Sequence, residues 1–250
     1  MLIQLVSFLS YERLIVKERL FRIDTISRIL NETEADFVMF SLHVLKSKND
    51  LSEIGRNIHN NKVTALFELD EGRDLRGNNL YLLQSGELKC LSNQIFSTSQ
   101  EARATIIERL IEELSTYRTF CVADKRFLIV LCGENNILKG DKGTAEFRLQ
   151  NRPDLKRRFT EILDGADIVL NPVHYRWRRF GHYICRMKKF SESKRYSFSC
   201  TQILDNNQLT RARQHPDDNV THVAMHSKRR ISPVYTNKEE NYLLQSFEIL

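Results

Sequence analysis

The run Phe127-Leu-Ile-Val-Leu-Cys132, followed by Gly133-Glu134-Asn135-Asn136, constrains this chain more than any other stretch. Apolar residues in unbroken succession read as a strand covered on both faces, which belongs in a sheet flanked by helices. The strand ends in a thiol, a glycine and a carboxylate, so Cys132 stands where the strand passes into a loop. A cysteine there, beside a Gly turn and acid or amide groups, is a candidate nucleophile. An inert thiol fits the same residues, because free Cys is among the most buried residue types.

Strand and helix patterns alternate along most of the chain. Met1–Phe8 reads as a first strand, and Ser10 as the cap of a helix with Leu14, Ile15, Ile23, Ile26 and Leu30 on its apolar face. Strands are expected at 36–40, 63–67 and 80–83, with a helix over 51–59 between the first two. Residues 70–79 read as a connection, and Ser85-Gly86 as a turn. Thr98 and Glu101 have capping-box spacing ahead of a helix over 102–117. Pro153 opens a helix striped by Leu155, Phe159, Ile162 and Leu163 and closed by Gly165. A strand at 167–171, a helix at 183–193, and strands at 196–200, 220–225 and 242–249 complete an α/β pattern.

At 250 residues with no repeat or clear linker, one domain over 1–250 is the expectation. No apolar run approaches the ~20 residues of a membrane span, and the first residues lack the basic start of a signal peptide. The five cysteines form no CxxC pair, which argues against a disulfide framework and for a reducing, cytoplasmic setting. A net charge of +6 permits contact with anions without requiring it.

Several pieces carry a resemblance. They are Leu131-Cys132-Gly133-Glu134, the stretch Asp164-Gly165-Ala166-Asp167 running to Asn171-Pro172, the stretch Arg186 to Tyr196 with Ser193 where Asn is usual, and the late His226-Ser227 and Ile231-Ser232-Pro233. In this order they resemble the nitrilase, or carbon–nitrogen hydrolase, superfamily. The resemblance implies a four-layer α-β-β-α sandwich, a homodimer or larger homo-oligomer, and no cofactor. It also implies a glutamate base, a cysteine nucleophile and a lysine that stabilises the developing anion.

Cys132 matches the nucleophile. At the position implied for the base the chain has Leu42, and at that of the lysine it has Gln94. His43 follows Leu42, but strand alternation would turn it to the other side. Lys89 lies five residues before Gln94, and Glu68 is a strand away, where it also reads as a hairpin carboxylate. An unassisted thiol has a pKa near ~8.5. Losing base and cation would each cost on the order of a hundredfold in rate. The resemblance therefore implies a weakly active or non-catalytic binding or assembly protein. The alternative is a thiol amidase or nitrilase acting through Cys132 with Glu68, Lys89 or Glu134 as recruited helpers.

A further feature is His174-Tyr-Arg-Trp-Arg-Arg-Phe-Gly-His182, which continues into Arg186 and Arg195. Arg176, Trp177, Arg178, Arg179 and Arg186 interleave cations with aromatics, as a nucleic-acid strand or another anionic ligand would require. A solvated basic helix, or an interface with a protein partner, fits the same residues. His226 to Arg230 forms a second basic cluster. The histidines lack metal-ligand spacing, since His222 and His226 fall in one expected strand, and no Gly-rich phosphate loop occurs. No metal or cofactor is expected.

Overall fold

The computed structural model describes residues 1–10, 15–70, 80–141, 143–173, 180–203 and 221–250. The first strand, β1 (Leu2–Phe8), leads to α1 (Val16–Glu32), with Ile23, Ile26 and Leu30 buried. Ser10 does not cap it. The Ser10 amide donates to the Ile203 carbonyl at 2.8 Å, so the extended path outlasts β1. Leu14 lies outside the described residues, and Ile15, at the cap, is exposed. After β2 (Phe37–Phe40), α2 (Lys48–Asn57) begins before the expected Leu51, because Ser47 and Asp50 close a capping box. Next come β3 (Thr64–Glu68) and the hairpin of β4 (Leu80–Gln84) and β5 (Glu87–Leu91). Residues 71–79 of the expected connection lie outside the description. Ser85 and Gly86 turn the hairpin with φ of 52° and 78°.

Thr98 and Glu101 do meet, the hydroxyl donating to Glu101 Oε1 at 2.8 Å, but they close a turn of their own. The helix α3 starts later, at Ala104–Thr116, and buries Ile107, Leu110 and Leu114 as expected. Ahead of the Cys132 stretch, β6 (Thr119–Val122) pairs with β7 (Lys125–Ile129) in a hairpin that the sequence pattern does not reveal. Its turn uses Ala123 and Asp124 at φ 46° and 64° with no glycine to mark it. A small ribbon follows, β8 (Leu138–Asp141) with β9 (Thr144–Phe147). Then come α4 (Pro153–Asp164), β10 (Ile168–Leu170), α5 (Phe180–Phe190) and β11 (Tyr196–Cys200). The last strands are β12 (His222–His226), β13 (Arg229–Arg230), β14 (Tyr235–Lys238) and β15 (Tyr242–Glu248).

The chain divides into two compact units. One comprises Met1–Asn93, Cys200–Asp205 and Pro233–Leu250. Its seven-stranded sheet has the order β14-β15-β1-β2-β3-β4-β5, with β1, β2 and β3 parallel. Val6, Phe8, Val38, Phe40, Ala65 and Phe67 pack in one cluster with Ile23, Ile26 and Leu30 of α1 and Leu51 and Ile54 of α2. The intervening Leu5, Met39 and Leu66 are also buried, so these strands are apolar on both faces.

The other unit comprises Gln94–Ser199 and Asn206–Ser232. Its six-stranded sheet runs β13-β12-β11-β10-β7-β6. Leu128, Val130 and Val169 pack against Leu110 and Leu114 of α3, Leu155 and Phe159 of α4, and Met187 and Phe190 of α5. Among the described residues no helix is long and apolar enough to cross a membrane.

Candidate active site

The strand bearing Cys132 is held rigidly. Phe127, Leu128, Ile129, Val130 and Leu131 are all fully buried. Leu128 pairs with Val169 of β10, and the Val130 amide donates to the Leu170 carbonyl at 2.9 Å. Regular pairing stops short of the expected end at Cys132. Cys132 is half-buried, carries no disulfide, and adopts helical angles (φ −38°, ψ −64°) that open a 3-10 turn over Gly133–Ile137. Only glycine fits next to it. A Cβ on Gly133 would lie 2.4 Å from Ser97 Cα and 2.5 Å from the Phe96 carbonyl oxygen. The residues following Cys132 are thus pressed onto the 96–97 backbone.

Glu134 is fully buried beneath this turn, and both its oxygens are taken. Oε2 accepts from Arg118 Nη1 at 3.0 Å and from the Leu131 amide at 2.9 Å. Oε1 accepts from Arg118 Nη2 at 3.2 Å and from the Ile95 amide at 2.7 Å. Arg118 is itself fully buried. Such a doubly bridged carboxylate has both oxygens spent on structural donors. Its geometry fixes the turn.

A second buried network backs the first. Asn171, one residue beyond β10, donates from Nδ2 to the Val130 carbonyl and accepts from Asn135 Nδ2 at 3.3 Å. Arg186 Nη1 donates to Asn135 Oδ1 at 2.6 Å, and Arg148 Nε donates to the Asn136 carbonyl. Arg186 therefore points inward rather than joining a basic surface. It shares the buried stripe of α5 with Tyr183, Met187 and Phe190, as i, i+3 and i+4 spacing requires. Burial lowers the Arg186 pKa to about 10, with the neighbouring Arg148 charge adding to the effect.

Gln94 also reaches this turn. Its Oε1 accepts from the Gly133 amide at 3.2 Å, and its Nε2 donates to Ser97 Oγ at 2.9 Å. The segment that carries the position implied for the family's lysine is therefore against the cysteine turn, with a carboxamide on it.

In the other unit, Leu42 and His43 lie beyond the end of β2, so strand alternation does not govern them. Leu42 is buried. His43 has φ of 56°, a left-handed conformation uncommon for a bulky residue. Its Nε2 is 3.2 Å from Glu68 Oε2, and its Nδ1 is 3.8 Å from Asp70 Oδ1. Arg22, buried on α1, donates to the carbonyls of His43 and Val44, at 3.3 and 3.1 Å, and of Leu9 at 2.7 Å. Glu68, an isolated hairpin carboxylate in the sequence, is thus the partner of a buried imidazole. Lys89 is exposed on β5, opposite Leu82 of β4.

Arg176, Trp177, Arg178 and Arg179 lie outside the described residues. The two basic clusters nevertheless meet. Lys189 and Lys228 both pair with Glu192, Lys228 at 3.0 Å, and the Arg230 guanidinium lies 5.8 Å from the Phe180 ring centre. Arg195 pairs with Asp164 at 2.8 Å. Lys188, Lys194, Lys228, Arg229 and Arg230 are exposed. No cluster of three metal-ligating side chains occurs among the described residues, and His226 stacks on Tyr196 with ring centres 4.2 Å apart.

Neither family models nor curated protein sequences give a match to this chain. Solved structures do. A CN-hydrolase superfamily protein from Xanthomonas campestris is similar over 99% of this chain and 91% of its own, with a TM-score of 0.54 at 12% identity. An amidase from Nesterenkonia sp. matches over 99% and 90%, with a TM-score of 0.54 at 12% identity. A carbon–nitrogen hydrolase from Helicobacter pylori matches over 98% and 88%, with a TM-score of 0.56 at 7% identity. At such identities the likeness speaks for the fold: the chain has the nitrilase-like α/β fold of the carbon–nitrogen hydrolase superfamily.

Proposed function

We propose that residues 1–250 act as one nitrilase-like domain in which carbon–nitrogen hydrolysis is weak or lost and the cysteine turn serves binding or assembly. The observation that carries this reading is the state of Glu134. The carboxylate nearest Cys132 in sequence is committed to Arg118 and to the Leu131 and Ile95 amides. Leu42 at the position implied for the base, and Gln94 at that of the lysine, support it. A homo-oligomer in the cytoplasm is the setting we infer.

The test is the iodoacetamide labelling rate of Cys132 against pH, read by mass spectrometry beside the other four cysteines, together with a screen of amides and nitriles. Labelling no faster than at the exposed Cys90 and Cys121, with no turnover, is expected. Turnover that disappears in Cys132→Ala would instead establish a thiol hydrolase with recruited helpers.

The meeting of α5 with the β12–β13 hairpin favours a second reading, an anion-binding face. Lys188, Lys194, Lys228, Arg229 and Arg230 would contact the phosphates of a nucleic acid, giving affinity that falls steeply with salt. Charge reversal of Arg229 and Arg230 that leaves oligonucleotide binding unchanged would exclude it.

A further inference from the structure

The outward face of α1 changes character along the helix. Its second half buries Ile23, Ile26, Ile29 and Leu30 and turns Asp24, Arg28 and Asn31 outward. At its start the outward residues are apolar: Ile15, Val16, Leu20 and Phe21 are 56, 70, 50 and 37% exposed. Phe21 is held edge-on to the buried Phe8 ring, with centres 6.5 Å apart, so the patch is preformed. Elsewhere among the described residues, exposed large apolar side chains stand singly or as the adjacent pair Val234 and Tyr235. Scattered apolar residues are ordinary on a surface, whereas a cluster marks a place of contact.

The charges around the patch say what covers it. Lys17 and Asp24 are exposed on the same face, since 17, 20, 21 and 24 follow i, i+3, i+4 and i+7 spacing. Neither side chain has a hydrogen-bond or ion-pair partner among the described residues. The helix advances ~10 Å between them, so each stands about 5 Å from the midpoint of Leu20 and Phe21. An identical helix laid antiparallel about that midpoint sets Leu20 against Phe21 and Lys17 against Asp24, each twice. A parallel one would set Lys17 against Lys17. The face is self-complementary in one direction only.

We propose that this face binds a second copy of the chain, the two α1 helices lying antiparallel about a two-fold axis between Leu20 and Phe21. The apolar side chains supply the contact, and the Lys17–Asp24 pairs between copies set its direction and register. The patch is small, so the dimer is weak and forms as concentration rises. The assignment rests on the homo-oligomer inferred above and names its face.

Sedimentation velocity of the full chain, from low micromolar to several hundred micromolar, tests it on wild type, Leu20→Lys, Lys17→Asp and Asp24→Lys. Wild type is expected to dimerise and Leu20→Lys to stay monomeric. Lys17→Asp alone faces carboxylate with carboxylate, and Asp24→Lys alone faces ammonium with ammonium. Each is expected to weaken self-association about tenfold. Mixed together, these two variants are expected to pair with near wild-type affinity, because one copy then carries both anions and the other both cations. That rescue also shows that each variant is folded. A mixture no more dimeric than its components, beside a dimeric wild type, puts the dimer on another face and overturns the inference while the homo-oligomer stands. A wild type monomeric at every concentration overturns both.

Discussion

Arg118 lays its guanidinium across both oxygens of Glu134, at 3.0 and 3.2 Å, with both side chains fully buried. The pair spans sixteen residues and links the chain just beyond α3 to the turn that follows Cys132. Because the Leu131 and Ile95 amides complete the carboxylate's shell, the turn, the end of β7 and the 94–97 segment are fixed by one anion.

Removing one member of this pair strands a buried charge. Arg118→Met and Glu134→Leu should each lower stability by about 3–5 kcal/mol, and the double variant Arg118→Met/Glu134→Leu should lose less than the sum. Urea denaturation of the four proteins checks both statements.

Gly133→Ala puts a methyl group into backbone rather than against a mobile side chain. A loss of about 1–3 kcal/mol is expected, with increased labelling of Cys132 as the turn shifts. Denaturation curves and alkylation rates measure the two consequences, and Gly55→Ala, whose Cβ would meet only Leu88 Cδ1 at 3.6 Å, is the control for helix effects.

His43→Ala removes the imidazole facing the buried Glu68 carboxylate. A cost of about 2–4 kcal/mol is expected, reduced when Glu68→Gln is added, because part of the loss is the buried carboxylate's missing contact with the imidazole. A double-mutant cycle by urea denaturation gives the coupling directly.

Cys200 is fully buried, and burial pushes its thiol well above the ordinary range. It should stay unlabelled by iodoacetamide at pH 8 in the folded protein and react only on unfolding, whereas the exposed Cys90 and Cys121 label in the native state. Peptide mass spectrometry with and without urea checks the order.

The Ser97 amide and the Thr98 hydroxyl both bond the Glu101 carboxylate and hold its pKa below the ordinary value. A depressed carboxyl contributes its stability above the unfolded pKa and loses it as pH falls through the folded one. Wild type should therefore exceed Glu101→Gln in stability at pH 7, and the gap should shrink as the pH falls below the ordinary glutamate value of about 4.3. Denaturation midpoints against pH provide the measurement.

Periodicity was enough for most elements, since a buried stripe such as Leu155, Phe159 and Leu163 is written into neighbouring residues. The β6–β7 hairpin escaped because Ala123 and Asp124 take left-handed angles without a residue type that signals them. Arg186 was legible as a cation in a basic run. Its inward direction depends on Asn135, fifty-one residues away.

The buried run ahead of Cys132 and the nitrilase-like order of pieces followed from the residues alone, because each depends on local pattern. The role of Glu134, the pairing of His43 with Glu68 and the seat of Gln94 on the Gly133 amide were decided by tertiary structure. Each is a hydrogen bond or ion pair between segments far apart in the chain. Whether a carboxylate or carboxamide is spent on structure depends on what folding brings against it, and a linear pattern carries no record of that.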